Sequence, residues 1–153
     1  MTAKIIKMDR LPKLNLPPSE LRVKRLAGGD RVWDQLRGKW LELTPEEWVR
    51  RHVINYFTDH LGCCARLIVQ EYPIELNRQP QRADIVLFDS DNKPLILVEC
   101  KAPDVAIDDS VLAQAVRYNS VVQASQIMLT NGIEHYVYKL EEGGYLPAPE
   151  LVL

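Results

Sequence analysis

Residues 82–104, RADIVLFDSDNKPLILVECKAPD, decide the fold. Two apolar runs flank a polar break. Arg82 to Phe88 reads as a strand. Asp89-Ser90-Asp91-Asn92 is a turn cluster, because these side chains hydrogen-bond their own backbone. Leu95 to Cys100 is apolar almost throughout and ends in charge, as a central strand covered on both faces does. Pro103 terminates it.

Three polar residues mark the ends of these strands. Asp84 lies near the start of the first; Glu99 and Lys101 lie at the end of the second. Residues two apart on a strand share a face, so Glu99 and Lys101 project together, and pairing of the two strands brings Asp84 beside Glu99. Carboxylates that close repel, and one stays protonated unless a cation is shared. Magnesium, with manganese as the alternative, takes a few carboxylate oxygens and keeps several waters. One such water is a nucleophile, and the ion stabilises charge on a phosphate. Lys101 is placed to orient that water or to neutralise the transition state. The Cys100 backbone carbonyl between them is a further ligand candidate. An Asp followed by Glu-x-Lys is common by chance, and a turn-proximal Asp with a strand-end ion pair is the plainer reading. Here, however, the triplet follows a wholly apolar strand, and such strand ends open onto binding crevices.

Outward from this core, Thr44-Pro45-Glu46-Glu47 starts a helix, with Thr44 as N-cap, Pro45 in the first turn and two acids at the positive end. Gly62 stops it. Glu46 falls in line with Val53 and Phe57 on the apolar stripe and is the candidate third acid. Glu47 has the capping-box spacing from Thr44 and is the substitute. A second helix spans Asp108 or Asp109 to Ala124, with Gln114 and Tyr118 on one face. Strands are expected at Leu67–Leu76, bent or at an edge because of Pro73, at Gln126–Thr130 and at His135–Leu140. The chain after Pro147 is expected to be loose. Upstream, residues 1–20 read as an extended arm that contributes an edge strand, and Leu21 to Leu43 as a small antiparallel layer. Helices alternating with strands give an α/β mixed sheet flanked by helices. The expected divisions are 1–43 (arm and accessory strands), 44–146 (core) and 147–153 (tail).

The 153 residues suit one domain. A net charge of −2 argues against strong non-specific DNA binding, so any nucleic-acid contact needs a local basic patch or a partner chain. Arg22, Lys24, Arg25, Arg31, Arg37, Lys39, Arg50 and Arg51 are the candidates for that patch, against a solvated face as the bland reading. The N-terminal strands with Trp33 or Trp40 fit a homodimer interface, and Trp33, Trp40 and Trp48 fit a core equally well. Three cysteines, two of them adjacent, make a poor disulfide framework. Together with the lack of a signal peptide or membrane span, this reads as a cytoplasmic protein.

These segments, in this order, resemble the PD-(D/E)xK nucleases. RADIVLFDSDNKPLILVECKAPD resembles their catalytic core, TPEEWVRRHVINYF their opening helix, LAQAVRYNS their Gln-x3-Tyr motif, and MLTNGIEHYVYKL the strand-turn-strand that closes the core. The likeness is nearest to the N-terminal nuclease domain of type I restriction enzyme R subunits and covers about Thr44 to Leu140. It implies a restriction-endonuclease-like αβββαβ fold with an N-terminal strand extension, and a magnesium-dependent endonuclease acting on DNA. Asp84 and Glu99 would be metal ligands, Lys101 the catalytic lysine, Glu46 (or Glu47) the helix acid, and Gln114 and Tyr118 assistants near the DNA backbone. R subunits also work with partner subunits and carry motor domains; these 153 residues contain no GxxxxGK[ST] loop. The alternative is a non-catalytic nucleic-acid- or partner-binding module on the same fold.

Overall fold

A computed structural model describes residues 11–153. The N-terminal extension is a three-stranded antiparallel sheet of β1 (Val23–Leu26), β2 (Gly29–Asp34) and β3 (Lys39–Glu42). Its alternation buries Val23 and Val32, which pair directly. Trp33 and Trp40 pair across β2 and β3 with ring centroids 5.2 Å apart. Residues 11–20 form no strand; residues 1–10, the rest of the expected edge strand, lie outside the described residues. The segment packs instead through Leu11 and Leu14, both buried, and Asn15 donates its N–H to the Gly132 carbonyl at 2.7 Å.

Helix α1 (Pro45–Asn55) starts as expected, with the Thr44 hydroxyl accepting from the Glu47 N–H at 3.0 Å. It gives way to one π turn over Tyr56–His60 before Gly62, a feature with no sequence signal. The main sheet has six strands in chain order: β4 (Ile68–Leu76), β5 (Gln79–Phe88), β6 (Pro94–Cys100), β7 (Gln126–Thr130), β8 (His135–Glu141) and β9 (Gly144–Ala148). Only β6 and β7 run parallel. The crossover between them carries α2 (Asp109–Val122), N-capped by Asp108. This is the α/β mixed sheet flanked by helices that the order of elements predicts. Pro73 is tolerated because β4 is an edge strand.

Two departures stand out. The chain around Pro147 is ordered as β9, and the Gln126 side chain clamps Val152 through both its N–H and its carbonyl at 2.8 and 2.6 Å. In β4, the register skips Glu71, whose φ is +51°. The register is the same on either side, so Glu71 and its opposite number Asp84 are one unpaired step in an otherwise continuous ladder, and the left-handed backbone there re-aims the Glu71 side chain.

The sheet is covered on both faces. Ile85, Leu87, Ile96, Val98 and Cys100 pack in the cluster with α1 and the N-terminal sheet. Val86, Leu97, Ile127 and Leu129 pack against α2. By the same alternation Glu99 belongs to the α2 side, whereas β5 departs from strict alternation beyond Ile85: Ala83 packs in the α2 cluster and Asp84 meets Arg50 of α1. Among the described residues no helix is long and apolar enough to cross a membrane.

Candidate active site

Pairing between β5 and β6 ends at Ile85 and Val98. One step further, side chains replace the backbone ladder. The Asp84 N–H donates to Glu99 Oε1 at 3.3 Å, and the Cys100 N–H donates to Asp84 Oδ2 at 2.7 Å. The strands part there because each carboxylate satisfies the other strand's free N–H. The two acids therefore stand together at the mouth of the opening.

Glu99 is only 4% exposed. Burial, reinforced by the Asp84 charge, pushes its carboxyl up to about 9, against the pull of the Asp84 N–H and of Lys101. Glu46 is also raised, first by burial and then by Asp84, with Arg50 and Lys101 opposing. The Cys100 thiol is buried and held well above its ordinary range by burial and by the Asp84 charge. Lys101 stands at the start of the loop after β6, where its N–H donates to the Thr130 carbonyl at 2.8 Å. Asn131 steadies that loop: its side-chain amide donates to the Val105 carbonyl at 2.9 Å and its carbonyl accepts from Ile133 and Glu134.

From α2, Tyr118 is buried and its hydroxyl joins two glutamines. Gln114 donates to it at 3.1 Å, and it donates to Gln81 at 3.2 Å. Burial and the charges of Glu99 and Asp84 raise its pKa. Gln114 and Tyr118 thus face the mouth of the site without bonding to its acids.

The helix acids divide differently from the expectation. Glu47 does not close a capping box; its carboxylate is taken by Arg50 at 3.3 Å and Arg51 at 3.1 Å, and ion pairing outweighs a bond to one backbone N–H. Glu46 leans toward the site, but its nearest charged partner is Arg50 at 3.8 Å. Among the described residues no group of three or more His, Cys, Asp or Glu side chains is arranged to hold a metal. The site offers two hard carboxylates and a neighbouring backbone carbonyl. That donor set suits an oxygen-seeking divalent ion that retains waters, and the proton held by Glu99 reflects the uncompensated pair.

Sequence reasoning missed Arg50 as a site residue. Its Nη2 donates to Asp84 Oδ1 at 3.0 Å, and its Nε is buried with no partner among the described residues. Its position four after Glu46 was the available signal. Arg37, Arg50 and Arg51, named above as candidate nucleic-acid contacts, are instead consumed in ion pairs with Asp34, Glu47, Glu71 and Asp84. Glu71 and Gln81 gave no local signal, since they bond to Arg37 and Tyr118 more than thirty positions away; Asp34 has Arg37 three residues on, but its burial depends on Arg51 and Gln70 from other elements.

A protein family described as the N terminus of the type I restriction enzyme R protein matches residues 45–148. No curated protein matches the chain. A DUF820 protein of Anabaena variabilis, described as a candidate nuclease and solved at 1.96 Å, aligns over 88% of this chain and 80% of its own. Its identity is 14% and its TM-score 0.42, a likeness too low to carry an argument.

Proposed function

Because the chain belongs to the family of the type I restriction enzyme R protein N terminus, we propose that it is a metal-dependent endonuclease that hydrolyses DNA phosphodiesters. The observation that carries this reading is the reciprocal contact of Asp84 and Glu99 at the parting of β5 and β6. A buried carboxyl with a partly buried one beside it, and no cation directly on Glu99 among the described residues, make a poor structural device, since a buried charge is costly unless paired or bound to metal.

Asp84, Glu99 and the Cys100 carbonyl would hold a magnesium or manganese ion. When bound, the ion supplies an activated water and charge stabilisation at the phosphate. The chain's own residues do the rest. Asp84 is kept in orientation by Arg50 and the Cys100 N–H. Glu99 gives up its proton as the site is filled. Lys101 orients the attacking water and meets the charge that develops on the phosphate oxygens. Glu46 accepts a hydrogen bond from that water. Gln114 and Tyr118 hold the DNA backbone beside the site. In this reading any motor function lies outside these 153 residues, which hold no GxxxxGK[ST] loop.

A second reading, a non-catalytic nucleic-acid- or partner-binding module, is favoured by the Arg50–Asp84 pair, which neutralises one of the two acids without a metal. Plasmid and oligonucleotide cleavage with and without magnesium separates the two. The nuclease reading expects metal-dependent cutting that disappears in Lys101→Ala and Glu99→Ala proteins that still fold. DNA affinity that falls with salt but survives both substitutions, with no cutting, is the outcome of the binding module.

A further inference from the structure

Three arginines and three carboxylates form a closed ring in which charge alternates at every step. Asp34 Oδ1 pairs with Arg51 Nη1 at 3.0 Å, and Arg51 Nε with Glu47 Oε2 at 3.1 Å. Glu47 Oε1 pairs with Arg50 Nη1 at 3.3 Å, and Arg50 Nη1 approaches Glu71 Oε1 at 3.9 Å. Glu71 Oε2 meets Arg37 Nη1 at 2.6 Å, and Arg37 Nε closes the ring on Asp34 Oδ2. Each carboxylate spends one oxygen on each of two arginines. Gln70 braces the inner side, donating to Asp34 Oδ1 at 3.2 Å and accepting from Arg51.

The ring joins three elements: β2 and the turn after it (Asp34, Arg37), α1 (Glu47, Arg50, Arg51) and the unpaired step of β4 (Glu71). Asp34 and Arg37 precede the segment that matches the family. Asp34 is fully buried; burial pushes its carboxyl up, but the bonds and charges of Arg37, Arg51 and Gln70 outweigh this and hold it below its ordinary range. Buried ion pairs contribute little net stability, because desolvation cancels most of the attraction. What such a ring supplies is geometry. Three positive and three negative groups balance within it, and Nη1 of Arg50 is fully engaged on the ring side. Its Nη2 is left to face Asp84 Oδ1 at 3.0 Å.

We infer that Asp34 is a positioning residue for the metal site: through the ring it fixes the guanidinium of Arg50, and Arg50 in turn fixes the carboxylate of Asp84. The N-terminal sheet is therefore part of the active-site scaffold rather than an accessory. The inference rests on the reading of Asp84 and Glu99 as the ligand pair, but its first test needs no metal.

In 15N-labelled, metal-free protein, Asp34→Asn is expected to shift the Arg50 Nε–H resonance and speed its exchange with solvent. Manganese titration then reads the effect on the site. Asp34→Asn is expected to weaken binding roughly tenfold, as loss of an outer partner of a metal ligand does. The same change in an Arg50→Met background is expected to have no further effect. Equal weakening in both backgrounds would reveal a through-space charge effect and overturn the inference. So would a loss of stability with the Arg50 signal and manganese affinity unmoved. Should Asp34→Asn not fold, Arg37→Gln, at a quarter-exposed side chain, opens the ring on its other side and is read in the same way. If Glu99→Gln leaves manganese binding intact, the ligand reading fails; the metal-free resonance still decides whether Asp34 holds Arg50.

Discussion

Arg50 of α1 reaches Asp84 of β5 at 3.0 Å. The contact lies where β5 and β6 part, one step beyond the last paired residues, Ile85 and Val98. It leaves the neighbouring acids unequal: Asp84 has a guanidinium, whereas Glu99 has a backbone N–H and a raised pKa.

That inequality sets a pH dependence. Glu99 titrates near 4.5 in the unfolded chain and about 9 in the folded, metal-free protein. The folded state therefore holds a proton that the unfolded state has lost, and stability falls as pH rises from about 4.5 toward 9. Metal affinity should rise over the same interval, because binding must release that proton. Thermal midpoints in EDTA at several pH values check the first effect. The wild type should decline more steeply than Glu99→Gln, and parallel slopes would refute it.

Gly132 stands at φ +86°, and a Cβ there would lie 2.6 Å from Leu14 Cδ2 and 3.1 Å from Val49 Cγ2. Gly132→Ala should cost roughly 1–3 kcal/mol from backbone strain alone. Urea denaturation measures this. Because Asn131 next to it restrains the loop after Lys101, activity should fall along with stability.

Thr44 caps α1 through one bond to the Glu47 N–H. Thr44→Ala should destabilise the fold by about 1 kcal/mol, and Thr44→Ser by much less. Equal losses in denaturation midpoint for the two would mean that the methyl group, not the cap, matters.

Tyr118→Phe removes a hydroxyl whose partners, Gln81 and Gln114, still have access to water. Stability should change by less than about 0.5 kcal/mol, while cleavage slows. Unchanged cleavage would remove Tyr118 from the site.

Much of this architecture was legible because local chemistry and global packing agree. Thr44-Pro45 marks the start of α1, the apolar run to Cys100 marks a central strand, and two-residue alternation turns Glu99 away from the α1-facing Val98 and Cys100. The Asp84–Glu99 juxtaposition followed from pairing two adjacent strands. What stayed hidden depends on long-range partners. Glu71 is aimed by a left-handed backbone step that no residue pattern announces. Asp34 reads as an ordinary strand-end acid until Arg37 and Arg51 close on it. Arg50 and Arg51 look like solvent-facing charges on a helix, and their burial depends on where the N-terminal sheet docks. Pro147 suggested a loose tail, but an edge strand beside β8 accommodates it.

The most direct measurement is a crystal grown with manganese and examined by anomalous scattering. A single peak about 2.1 Å from carboxylate oxygens of both Asp84 and Glu99, absent from a Glu99→Gln crystal, is the expected result. Arg50 still paired with Asp84 and no peak between the two acids would contradict the account.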